Sequence, residues 1–207
     1  DPRQRRASLA LVLGPSREVN YAYTQGISKR DQGSRLGLTG SYGRKVSDDP
    51  YNRFYFSGQF HFQYQNSEYV LADGSLSQES FGQLGVGPSL SYNFFRTQNY
   101  RLTIGGGITL NYHRALVSRK DQQKNIAEDR LFNGFSVTPK FKTHLVNSSF
   151  VPHLDLLMGA EVQFNLEHSL GPQTAPKVEE LWNAQNDSYT FPTGGLFTLF
   201  FGVQSSY

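Results

Sequence analysis

Between residues 53 and 65 the chain reads RFYFSGQFHFQYQ, and its bulky residues recur at every second position. A period of two is the repeat of an extended strand, because successive side chains of a strand point to opposite faces. One face of this strand would carry Phe54, Phe56, Phe60, Phe62 and Tyr64, and the other mainly Ser, Gln and His. Which of the two faces points inward decides whether the folded chain is surrounded by water or by lipid.

The same alternation, bounded by turn residues, recurs along the chain and predicts eight strands. The predicted ranges are 8–25, 35–46, 53–65, 80–95, 100–114, 131–146, 150–166 and 195–207. No stretch approaches the roughly 18 consecutive apolar residues that suggest a spanning helix. With 207 residues, the chain is expected to form one domain, 1–207.

The predicted connections alternate between short and long. The short ones read SDDPYN, RTQN and NSS, whereas the long ones cover about 26–34, 66–79, 115–130 and 167–194. Short connections therefore gather at one end of the sheet and long ones at the other, as in transmembrane barrels with short periplasmic turns and long outer loops. Residues 1–7 would form a periplasmic tail. The first and last strands should pair, because an open edge would leave backbone groups unpaired in lipid.

The polar faces of the predicted strands indicate which side is inside. Along the fourth and fifth strands they carry Gly, Ser, Thr, Asn and Gln, which are uncharged and mostly small. Only 18% of the chain is charged, below the usual quarter or so of a soluble domain. The apolar faces also hold more side-chain volume than an eight-stranded lumen accepts. The sequence therefore predicts an all-β, eight-stranded, antiparallel up-and-down transmembrane barrel with its apolar face toward lipid.

The predicted barrel resembles a known family. The eight-strand meander, the asymmetry of its connections and the aromatic last residue Tyr207, with Phe201 and Val203 in its phase, resemble small bacterial outer-membrane barrels of the OmpA transmembrane-domain and OmpX type. The resemblance implies location in the bacterial outer membrane and contact with its lipid and lipopolysaccharide. It also implies insertion by the barrel-insertion machinery, for which the terminal aromatic looks like the sorting signal.

Ionisable residues on the polar faces are candidates for a lumenal polar network. They are His61, Arg101, His113, Lys140, Lys142, His144, His153, Asp155 and Glu161. If Ser148 and Ser149 form a two-residue turn, Lys142 lies opposite Asp155 and His144 opposite His153. The plain role of such groups is to satisfy one another in a packed interior. The alternative is a polar gate or a proton-sensitive constriction at the two histidines.

Catalytic and metal-binding signals are weak. Lipid A deacylases of this shape carry a His-x-Ser pair on one strand. Here none of His61, His113, His144 and His153 has a serine two positions on, so the hydroxyl nucleophile of acyl chemistry is not supplied. The chain has no cysteine and its five histidines are scattered, which does not suggest a metal site. We therefore expect no enzymatic activity and no cofactor.

The long connections hold the remaining candidates. The segment APKVEELWNAQ at 175–185 predicts a short amphipathic helix whose Leu181 and Trp182 either cap the barrel mouth or dock a protein partner. A formal charge of +3 without a basic stripe gives no reason to expect nucleic acid. The function expected is a non-enzymatic outer-membrane barrel with a packed lumen, acting through its outer loops or wall as an anchor, adhesion protein or envelope-assembly subunit. The alternatives are a narrow channel for small or hydrophobic solutes, as in OmpW-like barrels, and an enzyme that modifies lipid A.

Overall fold

The computed structural model describes residues 5–15, 20–22, 34–46, 53–70, 74, 76–121, 126–166, 168–172, 188–191 and 193–207. Nearly all of these residues lie in β-strands, so the predicted all-β class is confirmed. Within these ranges, no helix is long and apolar enough to cross a membrane. The predicted amphipathic helix, with Leu181 and Trp182, lies outside the described residues.

Strand segments follow one another along the described chain. They are β1 (Arg5–Pro15), β2 (Asn20–Ala22), β3 (Ser34–Lys45), β4 (Phe54–Val70), β5 (Leu76–Arg96), β6 (Tyr100–Asp121), β7 (Ile126–Val151), β8 (Leu154–Asn165), β9 (His168–Pro172), β10 (Ser188–Phe191) and β11 (Gly194–Ser206).

Eight of these described segments close into a ring. They pair antiparallel in the order β1, β3, β4, β5, β6, β7, β8 and β11, and β11 returns to β1. The three short segments continue strands of this ring. The pairing of β9 with β10 keeps the register of β8 with β11, so β9 continues β8 and β10 leads into β11. The segment β2 pairs with β10 in turn. The described chain is therefore a closed eight-stranded antiparallel barrel, and the predicted pairing of the first and last strands is confirmed.

The two faces of the barrel wall differ as the alternation predicted. Outward side chains are mostly large and apolar, and 54–55% of the surface is exposed at Leu11, Phe56, Leu110 and Phe201. Inward side chains are mostly polar, and no more than 1% is exposed at Gln63, Thr109 and Gln163. A barrel in water has the opposite distribution. This is the arrangement of a transmembrane barrel, whose outer surface is solvated by hydrocarbon.

Cross-strand pairing places the outward side chains of β4 to β7 in rows. The rows are apolar from that of Phe54 to that of Phe62, which aligns with Leu84, Tyr112 and Phe135. This band covers residues 54–62 of β4, matching the roughly 9–11 residues of a tilted transmembrane strand. Farther along, the row of Glu68 is polar and contains Gln78, Ser118 and Asp129.

The strands β4 to β7 continue well past the apolar band. We call this part the projection; it comprises residues 63–70, 76–83, 113–121 and 126–134. A rise of ~3.3 Å per residue and a tilt of ~40° carry it roughly 20 Å beyond the band. Its outward rows are mixed, with charged side chains such as Glu68 beside apolar ones such as Leu116. Its inward side chains are buried, including Phe81, Val117 and Phe132. The projection is thus built as a sheet in water with its own covered face.

Strand limits differ from the prediction mainly in the long connections. The ranges 66–79 and 115–130 are largely strand: Glu68, Lys120 and Asp129 are exposed on the outward face of the projection, while Val117 is buried on the inward face. Charged side chains also lie on that inward face, since Glu79, Arg119 and Arg130 are buried. The range 167–194 contains β9 and β10, and β1 begins at Arg5 within the predicted tail 1–7. The predicted first strand, 8–25, is divided into β1 and β2.

The predicted register between the sixth and seventh strands is wrong. Ser148 lies within β7, and the turn consists of Pro152 and His153, with Val151 paired to Leu154. The backbone of His153 has a φ of 68°, the left-handed value that the third position of a type II turn requires after proline. A register irregularity between Asn147 and Val151 adjusts the pairing below the turn.

Candidate functional site

The lumen near the short connections contains a buried ion pair. Arg101 Nη2 lies 3.4 Å from Asp155 Oδ2, and both side chains are buried. Arg6 stacks over the Tyr55 ring at 3.4 Å from its centroid and donates a hydrogen bond to Asn93 Oδ1 at 3.2 Å. The sequence predicted Arg101 and Asp155 as lumenal, but it placed Asp155 opposite Lys142. The partner is instead Arg101 on β6, which is separated from β8 only by β7.

A second network spans the middle of the lumen. Lys140 Nζ lies 3.3 Å from Glu161 Oε1 and 2.7 Å from His61 Nδ1. Gln163 Nε2 donates to the same Glu161 oxygen at 2.8 Å. A neutral imidazole that accepts a hydrogen bond at Nδ1 carries its proton on Nε2. The Gln83 amide lies 2.8 Å from His61 Nε2. We therefore infer that the amide oxygen of Gln83 faces the ring and accepts this proton. The network therefore links four strands of the wall.

Two predicted cross-strand pairs are not formed. Lys142 lies opposite Glu161, and His144 lies opposite Gly159. His153 is exposed in the turn and does not reach the lumen. The predicted histidine pair, and the proton-sensitive constriction based on it, are therefore wrong. The physical reason is the turn at Pro152, which shifts β8 relative to β7.

An apolar cluster fills the lumen inside the projection. Its members are fully or almost fully buried: Phe81, Ala115, Val117, Phe132, Leu170, Tyr189 and Phe191. The ring of Phe81 lies 5.6 Å from that of His113 and 5.2 Å from that of Phe191. The Tyr189 hydroxyl donates a hydrogen bond to Glu79 Oε1. The alternation did not predict this cluster, because most of its members lie in 115–130 and 167–194, the ranges predicted as long connections.

His113 is lumenal, as predicted, and lies beside a serine that the sequence did not connect with it. Its Nε2 is 2.6 Å from Ser136 Oγ, on the neighbouring strand β7. His113 is 0% exposed and is covered by the rings of Phe81 and Phe191. A serine nucleophile must be accessible to its substrate. Because His113 is buried under these rings, the His113–Ser136 contact is best described as part of the packed interior. The contact between His113 and Ser136 follows from the pairing of β6 with β7, which the sequence alone does not give.

Arg35 is a further lumenal cation that sequence reasoning missed. It is 0% exposed on β3, and none of its guanidinium nitrogens has a hydrogen-bond partner among the described residues. Its position was visible in the sequence, because Arg35 has the opposite parity to the outward Leu36 and Leu38.

A small cavity lies in the lumen below the Lys140 network. Its volume is about 40 Å³, room for one or two water molecules. It is lined by Arg6, Lys142, His144, Glu161 and several hydroxyl groups. Among the described residues, no group of three or more His, Asp or Glu side chains is placed to hold a metal ion.

Comparisons with known proteins agree on the fold. No protein-family model and no curated protein sequence matches the chain. A major outer membrane protein from Thermus thermophilus is similar at a TM-score of 0.53 and 10% identity, covering 97% of this chain and 99% of that one. The outer membrane protease OmpT from Escherichia coli is similar at 0.50 and 8% identity, covering 100% and 97%. Neisserial surface protein A gives 0.47 and 12% identity, covering 98% and 97%. The chain therefore has the outer-membrane barrel fold that the resemblance implied.

Proposed function

We propose that the chain is a bacterial outer-membrane barrel that does not conduct solutes and that acts through the surface it holds outside the membrane. Its role would be that of an anchor, an adhesion protein or a subunit of an envelope assembly. The apolar band would contact outer-membrane lipid and lipopolysaccharide, and the barrel-insertion machinery would place it there. The observation that carries the proposal is the filled lumen.

The lumen is occupied at successive levels. The Arg101–Asp155 pair lies near the short connections, and the Lys140–Glu161 network crosses the middle. The cluster around Phe81 and Phe132 fills the lumen inside the projection. Between the two ion pairs lies the cavity of about 40 Å³. An eight-stranded barrel is only wide enough for its own side chains, and these levels supply them.

The projection supports a binding role. Its outward rows carry side chains of both charges, among them Glu68, Arg114, Lys120 and Asp129, all of them exposed. A transmembrane anchor needs strands of only about 9–11 residues, whereas β6 has 22 and β7 has 26. The additional length holds a rigid sheet in water beneath the connections between the strands. Such a scaffold suits the presentation of a docking surface.

A conductance measurement tests the proposal. The refolded chain is inserted into planar lipid bilayers, and a protease-protected fragment in matched vesicles confirms insertion. We expect no discrete conductance steps above the bare bilayer, while a general porin in the same bilayers conducts. Regular single-channel steps from the inserted chain would contradict a sealed lumen, and their loss in a Lys142→Met, Asp155→Asn variant would assign them to the lumen.

One observation favours the alternative of narrow transport with exit through the wall. His144 and Phe200 line the lumenal cavity and also an apolar groove on the outer face of the barrel, beside Met158 and Leu199. Gly159 of β8 lies between His144 and Phe200 and is in contact with both side chains. Uptake of a small hydrophobic solute into vesicles, increased by Phe200→Ala because the ring between cavity and groove is removed, would support this alternative over the sealed barrel.

A further inference from the structure

We propose that the lumenal cavity is a binding site for one small monovalent anion of the halide class, held between Arg6 and Lys142. The inference is independent of the function proposed above, because a sealed barrel and a narrow channel could both contain the site. It rests on the pairing of the lumenal charges and on the chemistry of the cavity lining.

The lumenal cations outnumber the carboxylates that could pair with them. Arg101 is paired with Asp155, and Lys140 with Glu161. Arg119 and Arg130 are buried within the projection and make interactions there. Elsewhere in the lumen, three further cations remain on inward-facing positions: Arg6, Arg35 and Lys142. Within the described part of the chain, none of the three has a carboxylate within the 4.0 Å of an ion pair. A buried charge without a counter-charge is strongly unfavourable, so the lumen needs negative charge that the described side chains do not supply.

Two of these cations line the cavity. The Lys142 ammonium makes no hydrogen bond to any described residue, although it can donate three. Arg6 uses one nitrogen to reach Asn93, and its Nε has no partner among the described residues. Both side chains therefore have donors left for a ligand in the cavity.

Apart from an apolar side formed by Ala10, Gly40, Leu157 and Phe200, the rest of the lining suits an anion. Hydroxyl groups can donate to it, and they come from Ser8, Thr39, Ser41, Tyr55, Ser57 and Ser91. Glu161 also lines the cavity. Its charge is held by Lys140 at 3.3 Å and by the amide of Gln163 at 2.8 Å. The local balance at the cavity is therefore positive.

Size restricts the class of anion. A volume of about 40 Å³ accepts a halide ion or one to two waters, but not a phosphate with its four oxygens or an organic acid. Water would satisfy the donors without supplying charge. A halide does both, which makes it the occupant that the lining favours.

Crystals of the refolded chain in bromide test the site directly. We expect an anomalous bromide peak in the cavity at hydrogen-bond distance from Lys142 Nζ. The peak should disappear in Lys142→Met, which keeps the side-chain length and removes the charge. It should remain in the control Lys120→Met, whose lysine is exposed on the projection. Bromide at surface sites only, or a cavity peak that survives Lys142→Met, would overturn the assignment.

A second measurement starts from the wild-type chain in solution. The thermal unfolding midpoint of the wild-type barrel in micelles is compared in sodium bromide and in sodium gluconate at equal ionic strength, since gluconate is too large for the cavity. A ligand that binds only the folded state raises the midpoint as its concentration rises, so we expect a bromide-dependent upward shift. Lys142→Met should lose the shift and Lys120→Met should keep it. Equal midpoints in the two salts would show that Lys142 is accommodated without an anion, as an uncharged amine.

Discussion

At the scale of single residues, the lumen is crowded enough that several inward positions accept only glycine. On β5, a methyl group at Gly85 would meet the His61 ring and the Asn111 amide, and one at Gly87 would meet the backbone carbonyl of Ile108. Gly85 thus leaves room for the His61 ring, which contacts Lys140 and Gln83. The polar network around His61 therefore depends on the absence of a side chain at Gly85.

Replacing Gly85 by alanine should therefore destabilise the barrel. The added methyl must displace His61 or Asn111, and overpacking a filled interior costs about 1–3 kcal/mol. Gly82→Ala on the same strand is the matched control, since no described atom lies within 4 Å of a methyl built there. The free energy of unfolding in urea, measured in phospholipid vesicles, should fall for Gly85→Ala only. An equal effect of both substitutions would indicate a general loss at strand glycines.

At the scale of elements, strand length and turn placement decide which inward residues meet. The faces of β7 and β8 were predictable because parity follows from covalent geometry, and Lys140, Lys142 and Glu161 indeed lie on inward positions. The register was not predictable from alternation, since a shift by two residues leaves every face unchanged. The choice between a turn at Ser148 and one at Pro152 therefore decided the partners of Asp155 and Lys142.

The turn itself gives a test. His153 adopts a φ of 68°, which costs a residue other than glycine roughly 1–2 kcal/mol. Because the side chain is exposed, His153→Gly should raise the free energy of unfolding by up to about 1 kcal/mol, and His153→Val should lower it. Both are measured by urea unfolding in vesicles. A loss of stability in His153→Gly, comparable with that in His153→Val, would mean that the imidazole makes a stabilising contact.

At the scale of the whole molecule, the outer surface changes character along the strands. The row of Phe62, Leu84, Tyr112 and Phe135 ends the apolar band, and the rows beyond it mix charged and polar side chains with a few apolar ones. The sequence predicted the band, because its aromatic and aliphatic residues alternate strictly. The sequence did not predict the projection, because a strand segment that carries charged side chains has the same amino-acid composition as a loop. The covered side, with Phe81 and Phe132, depends on contacts from β9 and β10 that no local pattern contains.

The position of the membrane follows from these rows and is tested by two arginine substitutions on one strand. Leu110 and Leu116 both face outward on β6, with 54% and 42% of their surface exposed. Leu110 lies within the apolar band, and Leu116 lies on the projection. An arginine facing lipid near the bilayer midplane costs about 2–4 kcal/mol and one near or beyond the interface roughly 0–1 kcal/mol. Leu110→Arg should therefore lower the free energy of unfolding in vesicles far more than Leu116→Arg. The same two variants in detergent micelles should differ less, because micelles adapt to a charged side chain. Equal losses in vesicles would place both rows at the same depth, and the projection would then lie within the membrane.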